Sequence, residues 1–303
     1  MQVSDDAFIA RDLARFNHHP NCTIYYPLGV VMDLTQHIHD MQVTFSMYSD
    51  AAPHNHNYKV IFGEGDWTVA LAQAKGTNDG PFQGPSGEWL PPTDRTVEYD
   101  LMSIVRWNGG LMMEEYLWTD NPSVYRQVGL LPSKPPRGIP DLELSPYVAP
   151  LSTQPGVDSS SVNKEKLKKT DDAINSGHLD ADSLNLSPNV TIYGLNDEGL
   201  DLQGYLDTLS DIKKAFPDLR YENEPYRQVI AQGDWTATIS NLTGTHQGPL
   251  ILSPYLANSP IKATGKSFDL LHYNIARWQD GKIVEMRINV DMFGILSALG
   301  IPF

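Results

Sequence analysis

The sequence predicts an α+β protein that contains two copies of one domain. Three observations support this fold class: the chain resembles itself over more than a hundred residues, a proline-rich stretch separates the similar halves, and each half shows helical periodicity followed by strand-like runs. The chain has 303 residues, of which 41% are hydrophobic, so each copy is long enough to bury its own core.

The repeat is clearest around a shared Gly-Asp-Trp tripeptide. Residues 58–81 (YKVIFGEGDWTVALAQAKGTNDGP) match residues 226–249 (YRQVIAQGDWTATISNLTGTHQGP) without a gap. Residues 20–25 (PNCTIY) match residues 188–193 (PNVTIY), and an Arg-Trp pair recurs at 106–107 and 277–278. The same order of landmarks in both halves predicts a tandem duplication.

A linker is predicted between the copies, at residues 132–161. This stretch contains seven prolines and several serines, and it has no hydrophobic period. The predicted boundaries are therefore residues 1–131 for domain 1 and residues 162–303 for domain 2.

Helices are expected to come first in each copy and strands to follow. Residues 5–16 and 164–175 are predicted to form opening helices, and residues 200–216 have apolar side chains at helical spacing. The later runs alternate or are rich in β-branched and aromatic residues, which predicts strands. In domain 2 these strands are residues 226–231, 235–243, 268–278 and 283–290, with a tight turn before the last.

Charge and composition exclude several classes of partner. The chain has 22 Lys and Arg against 37 Asp and Glu, a formal charge of -15, so it would repel nucleic acids and anionic membrane surfaces. Cys22 is the single cysteine and cannot form an internal disulfide. The sequence shows no signal-peptide core and no apolar run long enough for a membrane span. We expect a cytoplasmic protein.

Each copy ends in the pattern Arg-Trp-x-x-Gly-x-x-x-Glu, with an aspartate six residues after the glutamate. This pattern, after helices and an antiparallel sheet, resembles the SnoaL-like polyketide cyclase family of the NTF2-like superfamily. The resemblance implies two cone-shaped domains, each with N-terminal helices packed on a strongly curved antiparallel β-sheet around an apolar cavity.

The resemblance also implies a function. Cyclases of this family are cofactor-free and close a ring by intramolecular aldol condensation, and relatives in the superfamily isomerise or dehydrate. A pocket aspartate removes a proton from an activated carbon, and that residue aligns with Asp120 and Asp291. An aromatic residue commonly follows the family's glutamate; this chain has Tyr116 in copy one and Arg287 in copy two, so the two pockets need not bind equivalent substrates.

The residues themselves leave two interpretations of these aspartates open. Asp291 ends an apolar strand and is followed by further apolar residues, so burial could raise its pKa toward the range of a general base. Alternatively, its carboxylate caps the short helix that follows. The same alternatives apply to Asp120.

Polar and aromatic side chains stand at every second position of the last strand of each copy and therefore share one face of the sheet. This face is predicted to line a pocket. The alternative is that this face of the sheet is solvated. The candidate substrate-binding residues on and beside these strands are Tyr116, Trp118, Tyr193, Arg287 and Asn289.

At two matching positions, copy two has a histidine where copy one has a different residue. His246 and His272 replace Asn78 and Leu101, and either could hydrogen-bond a substrate carbonyl and stabilise an enolate. They could equally be hydrogen-bonded structural residues. On this evidence a single working pocket is expected in domain 2.

No metal or cofactor is expected. His37 and His39 fall in a predicted helix, where side chains two positions apart point in different directions. His54 and His56 lie in a polar loop without a carboxylate or cysteine at ligand spacing. Phosphate-binding loops and hydrolase motifs are also absent from the sequence.

The sequence therefore predicts an enzyme that acts on a small hydrophobic carbonyl compound by acid/base chemistry. The alternative is a protein that binds such a compound without turnover, in which one degenerate copy serves as an internal dimer partner. In either case the two domains are expected to form an internal pseudo-dimer.

Overall fold

The computed structural model of the chain describes residues 1–56, 58–84, 88–131, 159–195, 199–252 and 260–302. The described residues before and after the predicted linker form two compact units. Linker residues 132–158 lie outside the described residues. The helix that opens domain 2 begins at Ser160, slightly before the predicted boundary at residue 162.

Domain 1 begins with a helix, a strand and a second helix, and a sheet follows. Its elements are α1 (Gln2–Ile9), β1 (His18–Tyr25), β2 (Val31–Met32), α2 (Leu34–Met47), β3 (Ala52–His54), β4 (Val60–Glu64), β5 (Trp67–Thr77), β6 (Phe82–Gln83), β7 (Trp89–Leu90), β8 (Thr96–Asn108), β9 (Leu111–Thr119) and α3 (Asn121–Val128). The main sheet has the order β2-β1-β9-β8-β5-β3, with β4 also paired to β5. Strands β6 and β7 pair separately.

Domain 2 repeats this arrangement. Its elements are α4 (Ser160–Ser176), β10 (Leu186–Tyr193), α5 (Leu202–Ala215), β11 (Arg220–Tyr221), β12 (Gln228–Gln232), β13 (Trp235–Thr245), β14 (Ser267–Gln279), β15 (Lys282–Asn289) and α6 (Met292–Leu299). The sheet order is β10-β15-β14-β13-β11, with β12 also paired to β13. The predicted fold class, two α+β domains, is confirmed.

One eight-residue strand of each domain was missed in the sequence. Strands β1 and β10 lie between the two helices of their domains and pair in parallel with β9 and β15. The sheets are therefore not wholly antiparallel as expected. The strand signal is weak because β1 (HHPNCTIY) contains a proline and polar residues, and alternation is confined to its end.

The helix boundaries follow local signals. Asp33 accepts a hydrogen bond from the backbone N–H of Gln36 (2.9 Å), and the Gln36 side chain accepts one from the backbone of Asp33 (3.0 Å), which forms a capping box at the start of α2. The predicted opening helix of residues 5–16 is instead a shorter helix and a separate turn. The observed helix α1 ends at Ile9, and Arg11 just beyond it adopts a left-handed conformation with φ of 59°, which cannot continue the helix.

The middle strands β5, β8, β13 and β14 carry the apolar cores. Val69, Ile104, Ile239 and Ile275 are fully buried on these strands. Cys22 is also buried and unpaired, and burial raises the pKa of its thiol to about 11. Among the described helices, none is both long enough and apolar enough to cross a membrane.

Candidate functional site

A cavity of about 340 Å³ lies in domain 1 between α2 and the sheet. Helix α2 contributes His37, Asp40, Thr44 and Met47, which share one face because they are three or four residues apart. Aromatic rings form much of the remaining wall. These are Phe8, Phe16, Tyr26, Tyr48, Phe82, Tyr99 and Tyr125. The cavity has the size and apolar lining of a small-molecule site.

Strand β9 contributes the opposite face to the one expected from the sequence. Glu115 and Leu117 line the cavity. Successive side chains of a strand point to opposite faces, so Tyr116 and Trp118 lie on the other side of the sheet. There Tyr116 stacks on Tyr25, with ring centroids 4.4 Å apart. The side chains of β9 that line this cavity therefore lie on the face opposite to that of Tyr116 and Trp118, and a role of these two residues in substrate binding stays a prediction.

Two histidines and a glutamate meet in the cavity wall. His18 Nε2 lies 2.9 Å from Glu115 Oε2, and His37 Nε2 lies 4.0 Å from the same oxygen. Ser103 donates a hydrogen bond of 2.7 Å to the other oxygen, Glu115 Oε1. Phe16 packs beside both imidazoles, at 5.2 Å from the His18 ring and 6.1 Å from the His37 ring. All three ionisable side chains are buried.

The protonation states of this cluster are set by burial and mutual contact. Burial alone would raise the pKa of Glu115, but the hydrogen bond and charge of His18, the charge of His37 and the Ser103 bond lower it to about 2. Burial lowers the pKa of His37 to about 4, against the charge of Glu115. At neutral pH Glu115 is therefore ionised and His37 is neutral.

A carboxyl group and a phenol also pair in this wall. Tyr26 hydrogen-bonds Asp40. Burial raises the pKa of Asp40 above its ordinary value, although the Tyr26 bond and the nearby His39 oppose that shift. A carboxyl group in this setting is a stronger base than one in water.

The two domains differ at these cavity positions. His18 and Leu186 are the first residues of β1 and β10, His37 and Tyr205 are the fourth residues of α2 and α5, and Glu115 and Met286 are the fifth residues of β9 and β15. Likewise Asp40 corresponds to Thr208, and Tyr26 to Gly194. Leu186, Tyr205 and Met286 are all buried. Domain 2 thus has buried apolar or aromatic side chains at the positions of His18, His37 and Glu115.

Other polar contacts are the same in both domains. Tyr58 donates to Asp5 (2.5 Å) in domain 1, and Tyr226 donates to Asp171 (2.7 Å) in domain 2. Burial raises the pKa of Asp5 to about 6. Asp5 also lines the cavity. Because the pair recurs in a domain without the polar cluster, we assign it to the structure of the fold.

Asp120 and Asp291 are both helix N-caps. Asp120 accepts from the backbone N–H of Ser123 (3.0 Å), and Asp291 accepts from that of Gly294 (2.9 Å). Thr119 and Asn121 line the cavity on either side of Asp120, which is not itself part of the lining. The capping alternative describes the observed geometry, and the catalytic role of either aspartate stays a prediction.

His246 has a structural counterpart in domain 1. Its Nδ1 lies 3.2 Å from Thr264 Oγ1 and accepts from the Thr264 backbone (3.3 Å). Asn78 contacts Thr93 in the same way, at 2.9 Å from the hydroxyl and 3.0 Å from the backbone nitrogen. His246 therefore contacts a loop as Asn78 does, and a role for it in substrate binding stays a prediction.

His272 is buried on β14 beside Tyr221, with ring centroids 4.9 Å apart. Burial lowers the pKa of His272 to about 3, so the ring is neutral at physiological pH. Neither ring nitrogen has a hydrogen-bond partner among the described residues. A ligand contact for His272 remains a prediction.

The other candidates in domain 2 lie on the last strand and its neighbour. Arg287 contacts Glu285 Oε1 (3.0 Å) and lies over the Tyr193 ring, 4.5 Å from its centroid. Asn289 is buried two residues further along β15. These side chains alternate with Met286, which corresponds to the cavity residue Glu115, so they occupy the face equivalent to that of Tyr116. Their proposed role in substrate binding is not tested by this arrangement.

Among the described residues, those best placed to hold a metal ion are His18, His37 and Glu115, whose ligand atoms all lie within 4.8 Å of one another. The histidine pairs considered in the sequence do not form such a group: His39 and His54 are exposed, and His56 contacts Asp6 at the surface. Sequence reasoning missed the cluster because its members come from three distant segments. The available signal was the replacement of polar residues by apolar ones between matching copies.

The comparisons with known proteins agree with the duplication. The model of the SnoaL-like polyketide cyclase family matches residues 9–128 and again residues 164–299. No curated protein sequence matches the chain significantly.

Solved structures resemble one half of the chain at a time. AclR of Streptomyces galilaeus, described as a candidate hydroxylase, is 25% identical, covers 48% of this chain and 100% of its own, and gives a TM-score of 0.40. IdmH of Streptomyces antibioticus, described as a candidate polyketide cyclase, is 23% identical with coverages of 42% and 94% and a TM-score of 0.38. A SnoaL-like protein of Jannaschia sp. is 18% identical with coverages of 50% and 99% and a TM-score of 0.41.

Both domains thus have the NTF2-like α+β fold, and domain 1 contains a cavity of small-molecule size. The chain belongs to the SnoaL-like polyketide cyclase family, with two copies of the family domain in tandem.

Proposed function

We propose that domain 1 is an acid/base enzyme that removes a proton from a carbon next to a carbonyl group of a small hydrophobic compound. Ring closure by aldol condensation, isomerisation and dehydration can all begin with this step. The observation that carries the proposal is the set of polar cavity residues that only domain 1 has. Leu186, Tyr205, Met286, Thr208 and Gly194 stand in their places in domain 2.

The proposed general base is Asp40, not either of the aspartates expected from the family pattern. Asp40 lines the cavity, and burial raises its pKa. Such a carboxylate is a better proton acceptor than an exposed one. Tyr26, which is hydrogen-bonded to Asp40, fixes its orientation. Because Asp120 lies outside the lining and caps α3, its carboxylate is already engaged by the backbone.

The shape and polarity of the cavity support the substrate class. Phe8, Phe16, Tyr99 and Tyr125 present flat apolar surfaces, which suit an aromatic or polyketide-like compound. No Lys or Arg is among the lining residues, so nothing in the described wall would pair with a substrate carboxylate. A neutral carbonyl compound fits this lining better than an acid.

The proposal predicts that Asp40→Asn slows proton exchange about 100- to 10,000-fold, because an amide cannot accept the proton. The measurement is proton NMR of carbonyl compounds incubated with the full chain in D₂O, which follows loss of the signal next to the carbonyl. The wild-type rate should rise with pH as Asp40 loses its proton, at a higher pH than an ordinary aspartate requires. Asp33→Asn is the matched control, because Asp33 is an exposed cap on the same helix.

Asp120→Asn and Asp291→Asn test the rival assignment in the same assay. Asparagine caps helices about as well as aspartate, so neither change should disturb the fold. If one of these variants loses exchange while Asp40→Asn retains it, the base is the aspartate predicted from the family pattern and our assignment of Asp40 is wrong.

The second candidate function is ligand binding without turnover. It is favoured by the aromatic lining of the domain 1 cavity, which could hold such a compound without acting on it. Compounds that raise the melting temperature but exchange no proton would support this function. An internal pseudo-dimer and a cytoplasmic location remain predictions, and sedimentation of the full chain as a monomer would support the first.

A further inference from the structure

The cluster of His18, His37 and Glu115 has an arrangement that acid/base chemistry by Asp40 does not require. Both imidazole Nε2 atoms face the same carboxylate oxygen, at 2.9 and 4.0 Å. The exposed fractions of the three residues are 7%, 3% and 6%, so their polar atoms are shielded from bulk water. The longer distance exceeds that of a hydrogen bond and leaves space for an atom bound to both groups.

Two imidazoles and one carboxylate form a recurrent ligand set for zinc and iron(II), in which further coordination positions stay open. Metal bonds of about 2.0 to 2.2 Å place neighbouring ligand atoms roughly 3 to 3.5 Å apart. The His18 and Glu115 atoms already have about this separation. His37 would need to approach by roughly an ångström, which rotation of its ring can supply.

The surroundings hold these three groups in place. Ser103 donates to Glu115 Oε1 and leaves Oε2 directed at the histidines. Hydrogen bonds of this kind orient metal ligands in other proteins. Phe16 lies beside both imidazoles, with ring centroids 5.2 Å and 6.1 Å away, and shields them on that side. The open side of the cluster is the cavity that it lines.

Domain 2 shows what the fold needs at these positions. Leu186, Tyr205 and Met286 fill them with buried side chains that include no imidazole or carboxylate. A buried polar cluster is costly to a core unless its groups are satisfied, and apolar replacements are often at least as stable. Since the fold is complete without these groups, their presence in domain 1 indicates a ligand for them.

We propose that His18, His37 and Glu115 bind one divalent transition-metal ion, zinc or iron(II), in the wall of the domain 1 cavity. The ion would face the carbonyl compound and withdraw electron density from its oxygen, which makes the neighbouring carbon more acidic. This goes beyond the proposed function, which needs only Asp40, and it replaces the expectation that the protein binds no metal.

The test uses the full chain after treatment with a chelator and dialysis. Cobalt(II) and zinc(II) are the probes: the visible absorption of bound cobalt reports its coordination, and elemental analysis gives the stoichiometry. We expect about one ion per chain. Glu115→Gln and His37→Gln should each weaken binding at least about 100-fold. His54→Gln and His56→Gln are matched controls at exposed histidines and should bind as the wild type does.

Circular dichroism checks that the variants fold. If Glu115→Gln does not fold, Ser103→Ala provides the test, because it leaves the three ligands in place and should weaken binding about 10-fold. Binding well below one ion per chain would overturn the proposal, as would binding that is lost in His54→Gln or His56→Gln but kept in His37→Gln. Proton exchange at an unchanged rate in the chelated protein would refute the role in carbonyl activation and leave Asp40 as the base.

Discussion

The triple variant His18→Leu, His37→Tyr and Glu115→Met is expected to fold, to be as stable as the wild type or more so, and to lose the binding of cobalt(II) and zinc(II). It gives domain 1 the residues that domain 2 has at the same positions. Replacing buried charged and polar groups by well-packed apolar groups is commonly neutral or stabilising by about 1 to 4 kcal/mol. The change in stability is measured by urea denaturation, with hydrogen exchange in peptides from domain 1 as the signal.

The single variant Glu115→Ala is the comparison for this experiment. It leaves His18 buried without its partner and opens a void, so it should destabilise domain 1 by about 3 to 5 kcal/mol. A triple variant as unstable as Glu115→Ala would mean that the cluster is needed for the fold. The contrast between the domains would then be a difference in packing and not in function.

Asp171→Asn is expected to stabilise domain 2, and more so at higher pH. Burial raises the pKa of Asp171 to about 7, far above its value in the unfolded chain. As pH rises from about 4 to about 7, the unfolded state loses this proton and the folded state keeps it, so the wild type loses stability over that range. Asparagine has no such loss and can still accept the Tyr226 hydrogen bond.

The gain should grow through this range to about 4 kcal/mol at most. Urea unfolding of the full chain at pH 5 and pH 8 measures it. Asp172→Asn is the matched control, because hydrogen bonds from Asn223 and Lys168 outweigh partial burial and lower the pKa of Asp172. Its substitution should therefore cost stability at pH 8. An Asp171→Asn variant that is destabilised at pH 8 would show that the fold requires an ionised carboxylate there.

The fold could be predicted largely because the chain contains two versions of it. The matching segments around Trp67 and Trp235 indicated the duplication, and the tight turns at residues 108–110 and 279–281 were evident from their glycines. Strand β1 escaped because a parallel strand pairs with a distant segment and Pro20 obscures its pattern. Such long-range pairing leaves little local signal.

The site was harder to predict. Alternation along β9 gave the two faces of the strand but not which face is covered, since that depends on where α2 packs. The domain 2 histidines drew attention because copy one lacks them, yet His246 supports a loop as Asn78 does. The informative differences between the copies were the residues that copy one has and copy two lacks. His18 and Glu115, which copy two lacks, come from strands 97 residues apart that meet only in the folded sheet.

The position of the working cavity in domain 1 can be tested most directly by hydrogen exchange, measured by mass spectrometry with and without a bound aromatic carbonyl compound. We expect slower exchange in peptides from α2 and β9, which form the cavity wall. We expect no change in the corresponding peptides of α5 and β15. Protection confined to α5 and β15 would place the site in domain 2 and refute its assignment to domain 1.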